Sequence, residues 1–320
     1  MPHLATPTSL LADAKEIGVS LGGGCAIRAD DRVWCWGGRE DGWDGAPRPL
    51  SGIAGAHGLV VPEVGGCVRR RNAAPMCWRD IGGPPKVMPW SDSPQRPITQ
   101  LRLLSVAEIG CAIYGDATAE CVLNPEASAT RTFRAVRDLA FCGSSLCIVA
   151  PDGAVGCTER LGGDPVPFPI ASVEAGAELR CSDGLACAVK PGAPARCANY
   201  GRSPLMGADA ESPFVADGVL RGSERAAALS WSAWLYCLRT DDGAVECSDS
   251  ANVTARVTSL RGVVQVEVGS QHACARQDDG GVACWGRNDR AAAGVGSSAS
   301  RQRPVPVIVP DAVASPALRE

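Results

Sequence analysis

Sixteen cysteines dominate the side chains of this 320-residue sequence that could do chemistry. Fourteen of them form seven pairs with one spacing, nine residues between partners. The pairs are Cys25 and Cys35, Cys67 and Cys77, Cys111 and Cys121, Cys147 and Cys157, Cys187 and Cys197, Cys237 and Cys247, and Cys274 and Cys284. Such thiols could ligate a metal, run redox chemistry or bridge one another. Structural zinc needs four nitrogen or sulfur ligands, often as two close pairs. The sequence has no C-x2-C, and its only histidines are His3, His57 and His272. A redox centre would also want C-x2-C with a perturbed thiolate. Disulfide staples fit the spacing better, with reduced thiols packed in a core as the alternative. No metal or cofactor is expected.

The residues between the pairs describe how a bridge would form. "CLRTDDGAVEC" (Cys237–Cys247), "CARQDDGGVAC" (Cys274–Cys284) and "CIVAPDGAVGC" (Cys147–Cys157) read as β-hairpins, with Gly243, Gly280 and Gly153 six places after the first cysteine. A three-residue hairpin loop needs a left-handed residue at its third place, which Gly supplies. Asp31 fits that place tolerably, whereas Ala73, Ala117 and Ala193 fit less well and predict turns of another form. With this loop the two cysteines stand opposite each other, about 4.5–5.5 Å apart at Cα, within reach of a cross-strand disulfide. The remaining two, Cys142 and Cys181, lie just upstream of adjacent hairpins, and a bridge between neighbouring units is expected.

First cysteines follow one another at 42, 44, 36, 40, 50 and 37 residues. A period near 40 signals a propeller or solenoid. Apolar stretches such as "VVQVEVGS", with Val264, Val266 and Val268 alternating, precede the hairpins, and patches such as "DPVPFPI" and "RPVPVIV" follow them. That gives about four strands per unit and an all-β, seven-bladed β-propeller of four-stranded blades. The chain opens with a strand and hairpin and closes with a strand-like patch. The N- and C-terminal strands are therefore expected to pair, complete a shared blade and close the ring. One domain spans 1–320, with 1–9 and 315–320 frayed.

Unit seven, "VVQVEVGSQHACARQDDGGVACWGRNDRAAAGVG", resembles the regulator of chromosome condensation repeat family. The strand ends in Gly269, His272 stands two places before Cys274, and "DDG" is followed by "CWGRN" from Cys284 to Asn288. Unit one keeps "CWGG" (Cys35–Gly38) and unit two "CW" (Cys77–Trp78), while units three to six have lost the Trp-Gly. Ala291, Ala292 and Ala293 depart from the family's Gly-Gln-Leu-Gly-like turn. The resemblance implies a seven-bladed propeller, binding of other macromolecules through loops, and, for cysteine-rich members, export from bacteria.

Composition narrows the function. Gly 37 and Pro 24 approach a fifth of the chain, which favours turns over helices. The net charge is −4, with no basic run beyond "VRRRN" (Val68–Asn72), so nucleic acid is not an expected partner. No apolar run is long enough for a transmembrane helix, and the opening lacks the basic and apolar regions of a signal peptide. The cysteine density nonetheless points to an oxidising, extracellular or envelope location.

No G-x-S-x-G, H-E-x-x-H or phosphate loop is present. "GGREDGWDG" (Gly37–Gly45) lacks the spacing of a calcium loop, and "NVT" (Asn252–Thr254) is a glycosylation sequon. His57 lies in a Gly/Ala-rich loop, and His272 is expected to hydrogen-bond within its blade. The longest stretch between hairpins leads to "LSWSAWLYC". Trp231, Trp234 and Tyr236 there, with Trp43, are candidate binding anchors; strand core is the competing role for them. The expected function is a non-catalytic, monomeric scaffold that presents loops to a protein or glycan outside the cytoplasm. The alternatives are an enzyme, lyase or hydrolase, with a site over the central channel, and guanine-nucleotide exchange.

Overall fold

Each C-x9-C unit forms the second and third strands of an antiparallel sheet. The computed structural model describes residues 8–38, 45–62, 64–79, 84–104, 109–123, 130–142, 145–158, 165–182, 185–199, 214–215, 219–220, 223–232, 235–249 and 254–310. In every unit the two cysteines stand directly opposite in the ladder and are bridged. The eighth disulfide joins Cys142 to Cys181.

Seven sheets follow in chain order, blade 1 (14–49), blade 2 (56–87), blade 3 (98–134), blade 4 (138–172), blade 5 (178–220), blade 6 (226–256) and blade 7 (263–306). Blade 5 adds a short outer strand, Phe214–Val215, beyond its fourth. First strands of blades 1 and 2, 2 and 3, 3 and 4, 4 and 5, 6 and 7, and 7 and 1 pack on one another around the axis of the ring. The described residues hold no α-helix, only a 3-10 turn at Ser223–Arg225.

Strand pairing of the two ends closes the ring: Thr8 opposes Pro310, Ser9 opposes Val309, and Leu10 opposes Ile308. Thr8 and Ser9 are thus strand residues rather than frayed ones. The expected shared blade does not form. Blade 7 takes its fourth strand, Arg301–Pro306, from its own unit, so the terminal pair is a separate ribbon. A latch joins it to blade 7. Leu11 donates its N–H to the Val307 carbonyl and accepts from Val282, and Val307 donates to Val282 (3.0, 3.1 and 2.9 Å).

The core lies between blades rather than inside one sheet. Seven apolar clusters each contain the disulfide of one blade packed against the first strands of the next, and the last joins Cys274 and Cys284 to Leu11, Ile17 and Trp36 of blade 1. Large and small side chains alternate across the hairpins to fill these gaps. Trp36 opposes Gly24, Trp78 opposes Gly66, and Trp285 opposes Ala273. A β-carbon on Gly24 would lie 2.6 Å from the Trp36 ring. In blade 6 the pair is reversed, with Tyr236 opposing Ser248. The predicted alternation in blade 7 also shifts. A bulge between Val263 and Gln265 turns Val264 outward, 40% exposed, while Val263, Val266 and Val268 are buried.

Candidate functional site: the loop face where blades 7 and 1 meet

Polar side chains on the first and second strands face the neighbouring blade, and most are already engaged. The Glu16 carboxylate accepts N–H bonds from Gly58 and Leu59 of blade 2 (2.9 and 2.7 Å). Arg69 donates to the Ile98 carbonyl of blade 3. Asp138, 3% exposed, accepts from Arg102 of blade 3 (3.0 Å) and from the Leu179 N–H of blade 5 (2.9 Å). Gln265 exchanges two bonds with the Ile17 backbone of blade 1. These are clasps between blades, formed because a buried backbone group must find a partner.

A cluster of charged side chains also gathers first-strand residues of several blades. Glu178 ion-pairs with Arg180 at 2.6 Å. Burial pulls the Arg180 guanidinium down, but Glu178 and Glu267 raise it more, and the net direction is up. Burial raises Glu178, which Arg180 and Arg102 outweigh, holding it low. Burial raises Glu267 above the usual carboxylate range. Arg180 interacts with both carboxylates, and the charge of Glu178 adds to the rise at Glu267. Among the described residues, one grouping of three metal-capable side chains occurs, Cys142, Cys147 and Cys181, and each is in a disulfide.

A cleft of about 160 Å³ opens at the 7–1 junction, lined by Leu21, Ser270, Gln271, His272, Arg287, Asp289, Arg290 and Ala292. Leu21 lies between the first two strands of blade 1, Ser270 and Gln271 between those of blade 7, and Arg287–Ala292 beyond its third strand. By this topology the cleft is on the face opposite the hairpin tips.

Its floor is built from the repeat motif. His272 is buried, and its Nε2 lies 3.4 Å from the Gly23 carbonyl of blade 1. Burial depresses its pKa to about 4, and the ring is neutral near pH 7. Its bond crosses to the next blade, where one within the blade was expected. Asn288, fully buried, donates to the Ser297 and Ala299 carbonyls and accepts the Ala293 N–H. Trp36 Nε1 donates to the Ala292 carbonyl at 3.0 Å.

The rim is charged. Arg287 is held by Gln271 (3.0 Å) and Asp289 (2.9 Å). Arg290 is exposed, and its stem lies over Gly22, where an added β-carbon would sit 2.7 Å from its Cδ. Among the described residues its guanidinium has no carboxylate partner. Two guanidinium groups beside the half-exposed Leu21 can grip an anionic group flanked by an apolar one.

The sequence anchors fall elsewhere. Tyr236, 2% exposed, belongs to the core between blades 5 and 6, with Trp231 half-buried on the same cluster. Tyr236 is sealed from any partner because it fills the place of the missing hairpin Trp. That substitution was visible in the sequence as an aromatic before the first cysteine and a Ser after the second. Trp234 and Trp43 lie outside the described residues. His57 stands on the first strand of blade 2, not in a loop. In the sequence Arg287 and Arg290 look like ordinary members of the repeat, and the cleft they line exists only where blade 1 brings Leu21 beside them.

These features define a class: a disulfide-stapled, seven-bladed propeller with a charged cleft on its loop face. Residues 263–291 match the family model of the regulator of chromosome condensation (RCC1) repeat. Blade 7 thus carries a repeat of the RCC1 type. The chain is similar to yeast RCC1 (Prp20), crystallised with Kap60, at 12% identity over 96% of this chain and 88% of that one (TM-score 0.62). Human WBSCR16 is similar at 12% identity over 87% and 94% (TM-score 0.60). The ectodomain of the Arabidopsis thaliana receptor kinase ACR4 is similar at 15% over 93% and 99% (TM-score 0.51). At these identities the likeness is one of fold. No curated protein matches the sequence. No helix among the described residues is long and apolar enough to cross a membrane.

Proposed function

We propose that this chain is a non-catalytic binding scaffold that works in an oxidising compartment outside the cytoplasm and engages a protein partner through its loop face. The observation that carries this reading is the cleft at the 7–1 junction. Its floor is fixed by His272, Asn288 and Trp36, while the Arg290 guanidinium stands at the rim with no carboxylate partner among the described residues. Arginine beside an exposed apolar residue is typical of an interface anchor. The first-strand polar groups support a scaffold role by holding the blades together. Eight disulfides support the oxidising location. A relative of the same fold, yeast RCC1, is itself bound to a protein.

Photo-crosslinking tests the reading. A benzophenone at Arg290 should capture a partner protein from the native envelope or culture fluid. The same group at Val87, 62% exposed on the fourth strand of blade 2, should not. Capture from Val87 alone, or turnover of a substrate by the isolated chain, would overturn it. The double variant R287E/R290E should weaken the captured complex by about tenfold or more.

A further inference from the structure

The disulfide frame has one irregular place, at the junction of blades 4 and 5. The Sγ atoms of Cys142, Cys147 and Cys181 all lie within 4.8 Å of one another. Cys142–Cys181 joins two sheets, and Cys147–Cys157 is the hairpin staple of blade 4. Two disulfides therefore touch here. The sulfurs also differ in access. Cys142, Cys147 and Cys157 are buried, whereas Cys181 is half-exposed at the loop-face end of its strand. Among the other cysteines only Cys247 is comparably reachable.

We infer that Cys142–Cys181 is a thiol-exchange site, with Cys181 as the sulfur attacked by a small thiol and Cys147 as the internal acceptor. A small-molecule thiolate attacks Cys181 Sγ. The Cys181–Cys142 bond breaks, its electron pair leaves on Cys142, and Cys181 becomes a mixed disulfide. The Cys142 thiolate, already beside Cys147, then attacks Cys147 Sγ. A Cys142–Cys147 bond forms, the Cys147–Cys157 bond breaks, and the thiolate emerges on Cys157. One thiolate enters, one leaves, and no further oxidant or reductant is needed. Exchange rates follow access to the sulfur and the fate of the leaving thiolate.

Cys247 lacks the second condition. Its partner Cys237 stands opposite it within a continuous ladder, Leu235–Asp249 to Arg239–Val245. A thiolate released there stays beside its own mixed disulfide and expels the attacker. At the 4–5 junction a third sulfur diverts the thiolate instead. The outcome is loss of the covalent clasp between two blades on the face that carries the cleft.

The oxidised full chain is treated with limiting reduced glutathione, quenched with N-ethylmaleimide and mapped by peptide mass spectrometry. Cys181 should acquire glutathione about tenfold faster than any hairpin cysteine. A Cys142–Cys147 linked peptide should appear, with Cys157 as the alkylated thiol. In the double variant C147S/C157S, Cys142 should become the alkylated thiol. Equal or faster modification of Cys247, alkylation of Cys142 with Cys147–Cys157 intact in the native sequence, or no reaction at Cys181 would each overturn the inference.

Discussion

Single residues in this ring are recruited to join blades, and His272 shows how tightly. Its ring is 3% exposed and sits beside the Gly23 carbonyl of the next blade. Burial holds its folded pKa near 4, below the usual 6.5. A group with a depressed folded pKa stabilises the fold fully above its unfolded pKa, and that contribution is lost as pH falls. Stability should therefore decline between about pH 6.5 and pH 4, by up to about 3 kcal/mol from this residue. His272→Gln keeps a donor for the carbonyl but does not titrate. Urea unfolding of this variant should show a flatter pH dependence over that window, and an unchanged slope would remove His272 as its cause. The repeat motif made His272 legible as a structural residue. The blade it serves was not legible, because the partner carbonyl is 249 positions away in sequence.

Hairpins are the element that the cysteine spacing reveals most fully, and their tips show how far composition alone reaches. Gly153, Gly243 and Gly280 have φ of +93°, +74° and +84° at the anticipated place. Ala73 and Ala193 do not adopt it; the left-handed residue shifts one place earlier, to Asn72 and Gly192. In blade 2 the tip tightens so that Arg70 pairs with Ala73. Ala117 departs from the sequence expectation: its φ is +59° despite its β-carbon. Left-handed backbone costs an L-residue about 1 kcal/mol, so Ala117→Gly should raise the unfolding free energy measured in urea by that order. Gly153→Ala should lower it by about 1–3 kcal/mol, because its β-carbon would meet the Val173 carbonyl at 2.4 Å. Gly192→Ala, facing open space, should cost less. Equal losses at 153 and 192 would show that the close approach does not matter. The exchange of Trp for Tyr236 across the blade 6 hairpin left a trace in the sequence, an aromatic before the first cysteine and a Ser after the second, but its meaning needs the register. A period-two pattern does not reveal which strand carries the large partner.

The whole molecule is a ring of seven shared cores, each with a disulfide at its centre. The terminal ribbon and the Leu11 latch join the last core to the first, so the fold is closed by contacts between chain ends that are far apart in sequence. That closure was legible as a need, from a hairpin start and a strand-like end. The separate ribbon was not, because the one patch "RPVPVIV" is divided between the fourth strand of blade 7 and the strand that pairs with Thr8–Leu10. The cleft was illegible for a related reason. Its lining comes from two blades, and only the ring brings Leu21 beside Arg290. A short hairpin bridge contributes up to about 3 kcal/mol by chain entropy, and the longer Cys142–Cys181 loop up to about 4. The scaffold reading rests on all eight being formed. The decisive measurement is the intact mass of the chain from its native compartment, denatured and treated with iodoacetamide before and after reduction. A stapled ring predicts no carbamidomethyl groups before reduction and all sixteen cysteines modified after it. Labelling of the hairpin cysteines before reduction would contradict it.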